Sequence, residues 1–275
     1  MNKYILHKEL LTNKELDFVR AEFGTNADNK GCFYSLQTAN DIELPLLREQ
    51  LGCDVSKLSE QFNGEQVRLL VTDMDSTLIS IECIDEIADM LGIKPQVSAI
   101  TEAAMRGELD FEESLTQRVA LLKGLPIDKL QRVYDERLRL NPGAEDLISY
   151  LKKANIKLAL VSGGFTFFTD KLKERLGLDY TLANTLGIEK GCLTGKVSGN
   201  IVGAQAKADL LSSLSAELQI EPHQVMAMGD GANDLLMMDI AGLSVAYHAK
   251  PTVQARTDIQ INVGGLDTVI DLLKA

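Results

Sequence analysis

The sequence is poor in the residues that bind transition metals and in the positive charge that binds anionic polymers. It has three His and four Cys in 275 residues, and Cys32, Cys53, Cys83 and Cys192 form no C-x-x-C pair. A zinc site is therefore not expected, and the thiols read as reduced and structural. His7, His223 and His248 share no motif and read as surface or loop residues, none of them a base. Lys and Arg total 28 against 40 Asp and Glu, a net charge of −12. That balance argues against nucleic acid or an anionic membrane as a partner. No apolar stretch approaches the roughly 18 residues that a membrane span requires. Glu9 and Glu15 stand where a secretory signal would carry its apolar core. A cytoplasmic location is expected.

The same shortage of positive charge makes single cations informative. An anionic substrate would need a local positive site, so any Lys or Arg beside a motif becomes a candidate ligand. Hydrophobic residues make up 45% and charged residues 25% of the chain. That is ordinary for a globular protein, and the length allows one large or two small domains with a substantial core.

The most informative stretch is Asp73-Met74-Asp75-Ser76-Thr77, which follows directly on the apolar run from Val67 to Thr72. Such a run reads as a buried strand. In open α/β sheets chemistry sits beyond the carboxyl ends of the strands. An Asp there can attack phosphorus, and a second Asp two residues on can handle the proton of the leaving oxygen and then of water. The pair alone does not decide the matter, because Asp also favours turns and helix caps.

Three further segments add to it. Val161-Ser162-Gly163-Gly164 ends a second apolar strand, Ile156 to Val161, where Ser162 and Gly163 offer a hydroxyl and a backbone N–H at a helix start. Lys207 heads a helical pattern in Gln205-Ala206-Lys207-Ala208-Asp209. Gly229-Asp230-Gly231-Ala232-Asn233-Asp234 ends a third strand, Gln224 to Met228, with glycines that let the backbone come close on both sides of Asp230. A carboxylate pair such as Asp73 and Asp230 attracts a hard cation, for which Mg²⁺ is the natural choice beside a phosphate. Taken singly, each segment also reads as an ordinary turn or a solvated surface residue.

In this order the four segments resemble the motifs of the haloacid dehalogenase superfamily of phosphatases, and within it those acting on phosphoserine, from about Arg68 to the C-terminus. The resemblance implies Asp73 as nucleophile and Asp75 as acid and base. It implies Mg²⁺ held by Asp73, Asp230 and the backbone carbonyl of Asp75, with Lys207, Ser162 and Gly163 on the phosphoryl oxygens. Asn233 and Asp234 would support Lys207 or the water around the metal. Phosphoserine also carries an ammonium and a carboxylate. By resemblance Glu82 takes the first, Arg118 the second, and Phe111 shields the site. The implied activity is Mg²⁺-dependent hydrolysis of O-phospho-L-serine to L-serine and phosphate. A phosphatase for another small phosphate, such as a sugar phosphate, is the first rival. A phosphoryl-switch or pump module is the second, and a non-catalytic binding protein is the third.

The pattern from Val67 onward is strand then helix, repeated, which predicts a doubly wound parallel sheet in an α/β fold, with strands also at Leu243 to Tyr247 and Ile259 to Val263. Helical periodicity over about Ile84 to Asn141 predicts a cap inserted between the first two core strands. Ahead of it, residues 1–65 predict a small α+β domain, with strands at Tyr4 to Leu6 and Cys32 to Leu36 and helices at Lys14 to Phe23 and Leu44 to Leu51. It is joined by the polar stretch Ser59 to Glu65. Modules in this position regulate or dimerise related enzymes, so a homodimer is one expectation.

Overall fold

The computed structural model describes residues 1–275. The N-terminal part holds β1 (Asn2–Leu6), α1 (Asn13–Phe23), β2 (Asp28–Asn29), β3 (Tyr34–Thr38), α2 (Leu44–Leu51) and β4 (Val55–Leu58). The core and cap follow as β5 (Leu69–Thr72), α3 (Cys83–Met90), α4 (Lys94–Met105), α5 (Phe111–Ala120), α6 (Ile127–Glu136), α7 (Ala144–Lys153), β6 (Lys157–Phe165) and α8 (Thr166–Leu176). The chain continues through β7 (Tyr180–Glu189), β8 (Cys192–Ser198), α9 (Ala204–Leu218), β9 (Val225–Gly229), α10 (Leu235–Met238), β10 (Leu243–Tyr247), α11 (Pro251–Gln254), β11 (Ile259–Ile261) and α12 (Thr268–Lys274).

The large sheet has the order β11-β10-β9-β5-β6-β7-β8. All its pairs are parallel except β7 with β8, which form an antiparallel hairpin at one edge. Alternation sends Leu70 to one face and Leu69 and Val71 to the other, and each face has its own apolar layer. Every residue of β5 and β9 is buried, as strands covered by helices on both faces require. From β5 the chain winds first towards β6 and β7, then returns to β9 and winds the other way. The switch point, and with it the crevice, lies where β5 and β9 run side by side.

The expected cap is present as α3 to α6. Its two crossing strands meet in an antiparallel bridge between Ile79 and Leu140. Asn141 fastens that crossing: its side-chain amide donates to the carbonyls of Thr77 (2.8 Å) and Ile79 (3.3 Å). The hairpin at the sheet edge braces the far side of the cap, where Gly124 N–H donates to Leu193 O (2.8 Å) and Leu193 N–H donates to Leu125 O (2.8 Å).

The N-terminal strands form a separate four-stranded antiparallel sheet, order β2-β3-β1-β4. Tyr4 and Leu6 face α1 and α2 in a core of their own, while Ile5, Phe33 and Leu58 belong to the apolar layer of the large domain. The stretch expected as a polar linker is tucked in as well. Phe62 packs on the large core, and Gly64 lies so close to the carbonyls of Leu272 and Leu273 that a side chain there would collide with them.

The polar side of this interface corrects one expectation. His7 is not a surface residue: its side chain is 3% exposed, with Nδ1 2.9 Å from Asp271 Oδ2 and Nε2 2.8 Å from Ser56 Oγ. It is covered because β1 ends against α12. His223 and His248 are exposed as expected. Beside His7, Asp54 is 2% exposed and accepts from the backbone N–H groups of Asn262 (2.8 Å), Val263 (3.0 Å) and Gly264 (2.7 Å).

Asp54→Ala would leave those three backbone donors without their buried acceptor. Each unsatisfied buried group costs about 1–3 kcal/mol, and water can recover part of that. The variant is expected to lose about 3 kcal/mol of stability, on the scale of a single such loss, read as a lowered unfolding midpoint. A midpoint equal to the parent's would show that the interface carries no such load.

Candidate active site

The site begins where β5 runs out of apolar residues. Asp73 N–H donates to Met228 O (2.9 Å), which keeps the backbone in line with β9 up to the crevice. There the chain turns sharply: Asp75 is extended and Ser76 takes φ 57°, a left-handed conformation unusual for a residue with a side chain. The turn delivers Asp73 and Asp75 into one cavity of about 460 Å³, which Glu82, Phe111, Arg118, Ser162, Gly163, Asp230 and Asn233 also line. These nine are site residues singled out in the sequence.

Lys207 lies directly behind Asp73. Its side chain is fully buried, with Nζ 2.6 Å from Asp73 Oδ1 and 2.7 Å from Asp234 Oδ1. Asp234 is oriented in turn by Gly231 N–H, which donates to its Oδ2 (3.0 Å). Any side chain at Gly229 would strike this carboxylate, so glycine there is a steric necessity. Asp75 is held from two sides: Cys83 N–H donates to Oδ1 (2.8 Å) and Ser162 Oγ donates to Oδ2 (3.3 Å). Ser162 Oγ accepts in turn from Gly164 N–H (2.8 Å). One detail differs from expectation. Ser162 and Gly163 are not at a helix start, because α8 begins at Thr166 and the two residues sit in a bulge of β6.

The electrostatics are lopsided. Burial, then the charge of Asp234, pushes the Asp73 carboxyl upward, while Lys207 pulls it back. Burial raises Asp75 too. Burial followed by Asp234 brings Asp230 up to about 6. Glu82 opens on the cavity mouth but has protein on most sides. That enclosure, then the charge of Asp75, brings it up to about 7. Burial opposes the charge on Lys207, but Asp234 and Asp73 outweigh it and hold the ammonium charged. One buried ammonium thus serves too many carboxylates. Asp73, Asp230 and Asp234 bring oxygens within 4.8 Å of one another, a donor set that fits a hard divalent cation. Asp234 already has Lys207 and Gly231 on its two oxygens, so Asp73 and Asp230 are the better placed ligands.

The cap presents charges of a different kind. Arg118 is half-buried on α5, and its Nε donates only to the carbonyl of Ser114 (3.3 Å), leaving the rest of the guanidinium facing the cavity. Burial lowers its pKa, and the charges of Asp85, Glu82 and Asp75 oppose that. Glu82 accepts from Ser76 Oγ at 2.7 Å.

Sequence reasoning missed Ser76, Cys83, Asp85 and Lys250. Ser76 and Cys83 orient Glu82 and Asp75 from positions whose role appears only once the turn is folded. Asp85 and Lys250 line the cavity, and the charge of Lys250 pulls Asp230 down. A single Lys ahead of Pro251 carries no signal separating it from surface lysines.

Such a crevice suits the transfer of a group from an anionic substrate to a carboxylate, the chemistry of capped α/β hydrolases. Residues 67–242 match the family model for haloacid dehalogenase-like hydrolases, and the chain belongs to that family. It is 55% identical over 228 residues to a phosphoserine phosphatase of Polaromonas sp. (strain JS666), a match spanning 81% of this chain and 97% of that one. With the phosphoserine phosphatase of Vibrio cholerae it shares 51% over 225 residues, 82% of this chain and 68% of the other. Among solved structures, the unliganded form of a probable phosphoserine phosphatase from Vibrio cholerae superposes with a TM-score of 0.87 at 39% identity, covering 99% of this chain and 86% of that one. A substrate-bound phosphoserine phosphatase complex matches with a TM-score of 0.67 at 43% identity, over 71% of this chain and 93% of the other. No helix is long and apolar enough to cross a membrane.

The raised carboxyls set a pH dependence. Asp230 and Glu82 have folded values of about 6 and about 7, above those of free side chains, so the folded state binds their protons more tightly than the unfolded chain. Their contribution to stability is therefore lost as pH rises through that window. In a chelator the unfolding midpoint should fall between pH 5.5 and 7.5, and a millimolar divalent cation should abolish the fall. A cation-induced rise in midpoint that is as large at pH 5.5 as at 7.5 would contradict this account.

Proposed function

We propose that this hydrolase is a Mg²⁺-dependent phosphoserine phosphatase, converting O-phospho-L-serine to L-serine and phosphate through an aspartyl phosphate on Asp73, as in the last step of L-serine biosynthesis. The observation that carries the substrate is the guanidinium of Arg118, which makes no ion pair, sharing one cavity with the Glu82 carboxylate and Asp73. A fixed cation and a fixed anion beyond the phosphate site match an amino-acid head group and suit a sugar poorly. The reading places the enzyme in the cytoplasm with a small-molecule substrate. A net charge of −12 speaks against nucleic acid or an anionic membrane as partner.

The division of labour follows from the contacts. Lys207 occupies Oδ1 of Asp73, which leaves Oδ2 to attack phosphorus in line. The P–O bond to serine breaks as the Asp73–phosphorus bond forms. Asp75, raised by burial, gives its proton to the departing serine oxygen. It then takes a proton from the water that hydrolyses the acyl phosphate. Ser162, the N–H of Gly163 and Lys207 balance the charge on the phosphoryl oxygens. Asn233 lines the same wall. Mg²⁺, held by Asp73, Asp230 and the carbonyl of Asp75, would offset the repulsion between an anionic nucleophile and an anionic ester.

Phosphate release from phosphoserine, an aryl phosphate and a sugar phosphate, with and without Mg²⁺, tests the reading. A wide preference in kcat/KM for the sugar phosphate would overturn the substrate. Arg118→Ala should cost phosphoserine roughly tenfold or more in kcat/KM, since a charge-assisted hydrogen bond contributes about 1.5–3 kcal/mol. The aryl phosphate should change much less. Equal losses on both would make Arg118 structural.

The two aspartates separate by what they leave behind. Asp73→Asn should abolish turnover, because an amide cannot form the acyl phosphate. Asp75→Asn should slow phosphoserine turnover by about 10²–10⁴, the usual contribution of a positioned proton donor. With an aryl phosphate, whose leaving group needs little protonation, it should accumulate phosphoenzyme. Mass spectrometry of the acid-quenched variant should find one phosphoryl group on the peptide containing Asp73. A group on Ser76 or Thr77 instead would refute the assignment.

A further inference from the structure

Where β6 and β7 pair, Val161 stands opposite Leu182 and Phe165 opposite Asn184. Three residues of β6, Ser162, Gly163 and Gly164, therefore face a single residue of β7, and the excess is pushed out of the ladder into the cavity. The bulge presents Ser162 and Gly163 to the substrate, and it also deprives their backbone of ladder partners.

Asn184 fills that gap. It is 1% exposed, and both ends of its amide are used. Its Nδ2 donates to Gly163 O (2.8 Å) and to Val202 O (3.4 Å), while its Oδ1 accepts from Val202 N–H (2.8 Å). The second partner matters because Val202 leads into Gly203, the residue that caps α9. The carbonyl of Gly203 accepts the N–H of Lys207 (3.2 Å), in the first turn of the helix. One buried side chain thus joins the phosphate-binding bulge to the start of the helix that supplies the buried ammonium.

A steric observation points the same way. A Cβ at Gly163 would come within 2.9 Å of the Phe111 ring, and one at Gly203 within 3.3 Å. Both glycines therefore lie under the same aromatic ring of the cap, and Asn184 ties together the two backbone segments that form this floor.

We propose that Asn184 is a positioning residue of the phosphate site, fixing the spacing between the Ser162–Gly163 bulge and the helix that carries Lys207. Only a carboxamide of this length supplies a donor for Gly163 O and an acceptor for Val202 N–H together. Aspartate keeps the acceptor, loses the donor and adds a buried charge. Serine is too short to reach both. Because the residue acts on the phosphoryl site, its loss should affect every phosphate monoester alike, unlike the loss of Arg118.

The test uses Asn184→Asp and Asn184→Ser in the full chain with Mg²⁺, with circular dichroism as a check on folding. For both variants kcat/KM should fall roughly tenfold or more on phosphoserine and on the aryl phosphate, the scale of one lost buried hydrogen bond that positions the site. Competitive inhibition by inorganic phosphate should weaken by a similar factor. The preference for phosphoserine over the aryl phosphate should stay within about twofold of the parent's, since no head-group contact is touched. Folded variants with the parent's phosphate inhibition, or with a loss confined to phosphoserine, would overturn the proposal. If neither variant folds, the unsubstituted protein decides by NMR: inorganic phosphate should shift the side-chain amide signal of Asn184, and an unmoved signal refutes the role. The inference rests on the phosphatase reading of the site. A parent protein that releases phosphate from no monoester overturns both, whereas an active parent with indifferent variants overturns only the part given to Asn184.

Discussion

The structure turns on one buried positive charge. Removing an ion from water costs several kcal/mol even after relaxation, and only close partners compensate. Lys207 has two, Asp73 and Asp234, and the three residues come from different parts of the fold: α9, the end of β5, and the turn after β9. The three cannot separate without stranding a charge in an apolar interior. This requirement aligns β5 with β9 at the switch point, excludes any side chain at Gly229, and holds one oxygen of Asp73 while the other stays free. The surplus of carboxylate that remains around Asp230 fits a divalent cation.

Around that centre the chemistry divides by layer. In the proposed reaction, the groups assigned to the phosphoryl oxygens stand on buried strands or in the bulge that the buried amide of Asn184 ties down. The groups proposed for the head of the substrate stand on the cap, where α5 carries Arg118 and Glu82 is the N-cap residue of α3. The two layers are linked within one short stretch. Ser76 belongs to the turn that follows Asp73, yet its hydroxyl donates to Glu82. On the proposed reading, substrate selection and the placement of the attacking carboxylate therefore share a backbone whose φ at Ser76 lies in the left-handed region.

Much of this was legible in the sequence because the core motifs sit directly at the ends of apolar strands. A strand such as Val67 to Thr72 announces itself by composition, and the polar residues that follow are then placed by topology alone. The cap was legible from its helical periodicity. What escaped notice has a common character. β4 is a four-residue edge strand, and β7 and β8 mix glycine, polar and charged residues among their apolar ones, so alternation is weak in all three. His7 and Asp54 look like solvated residues until the N-terminal sheet is laid against α12. Asn184 is one polar residue in Ala183-Asn184-Thr185, and its partners, Gly163 and Val202, lie on either side of it in the chain, each far outside any local pattern. Periodicity reports what faces a core. It does not report which distant backbone group a buried amide will meet.

The covering of the N-terminal sheet has a bearing on how the protein is made. Residues 1–58 can form their own strands, helices and small core early, since the partners of Tyr4, Leu6 and Phe23 all lie within that segment. The opposite face cannot be completed then. Ile5, Phe33 and Leu58 await the large domain, His7 awaits Asp271, and Asp54 awaits the backbone of Asn262 to Gly264. Those groups lie 208 to 264 residues further along the chain, so at ~5–20 residues per second they are made at least ~10 s later. Until then the polar groups of this interface have no partners, and the segment from Asn262 to Asp271 completes them together.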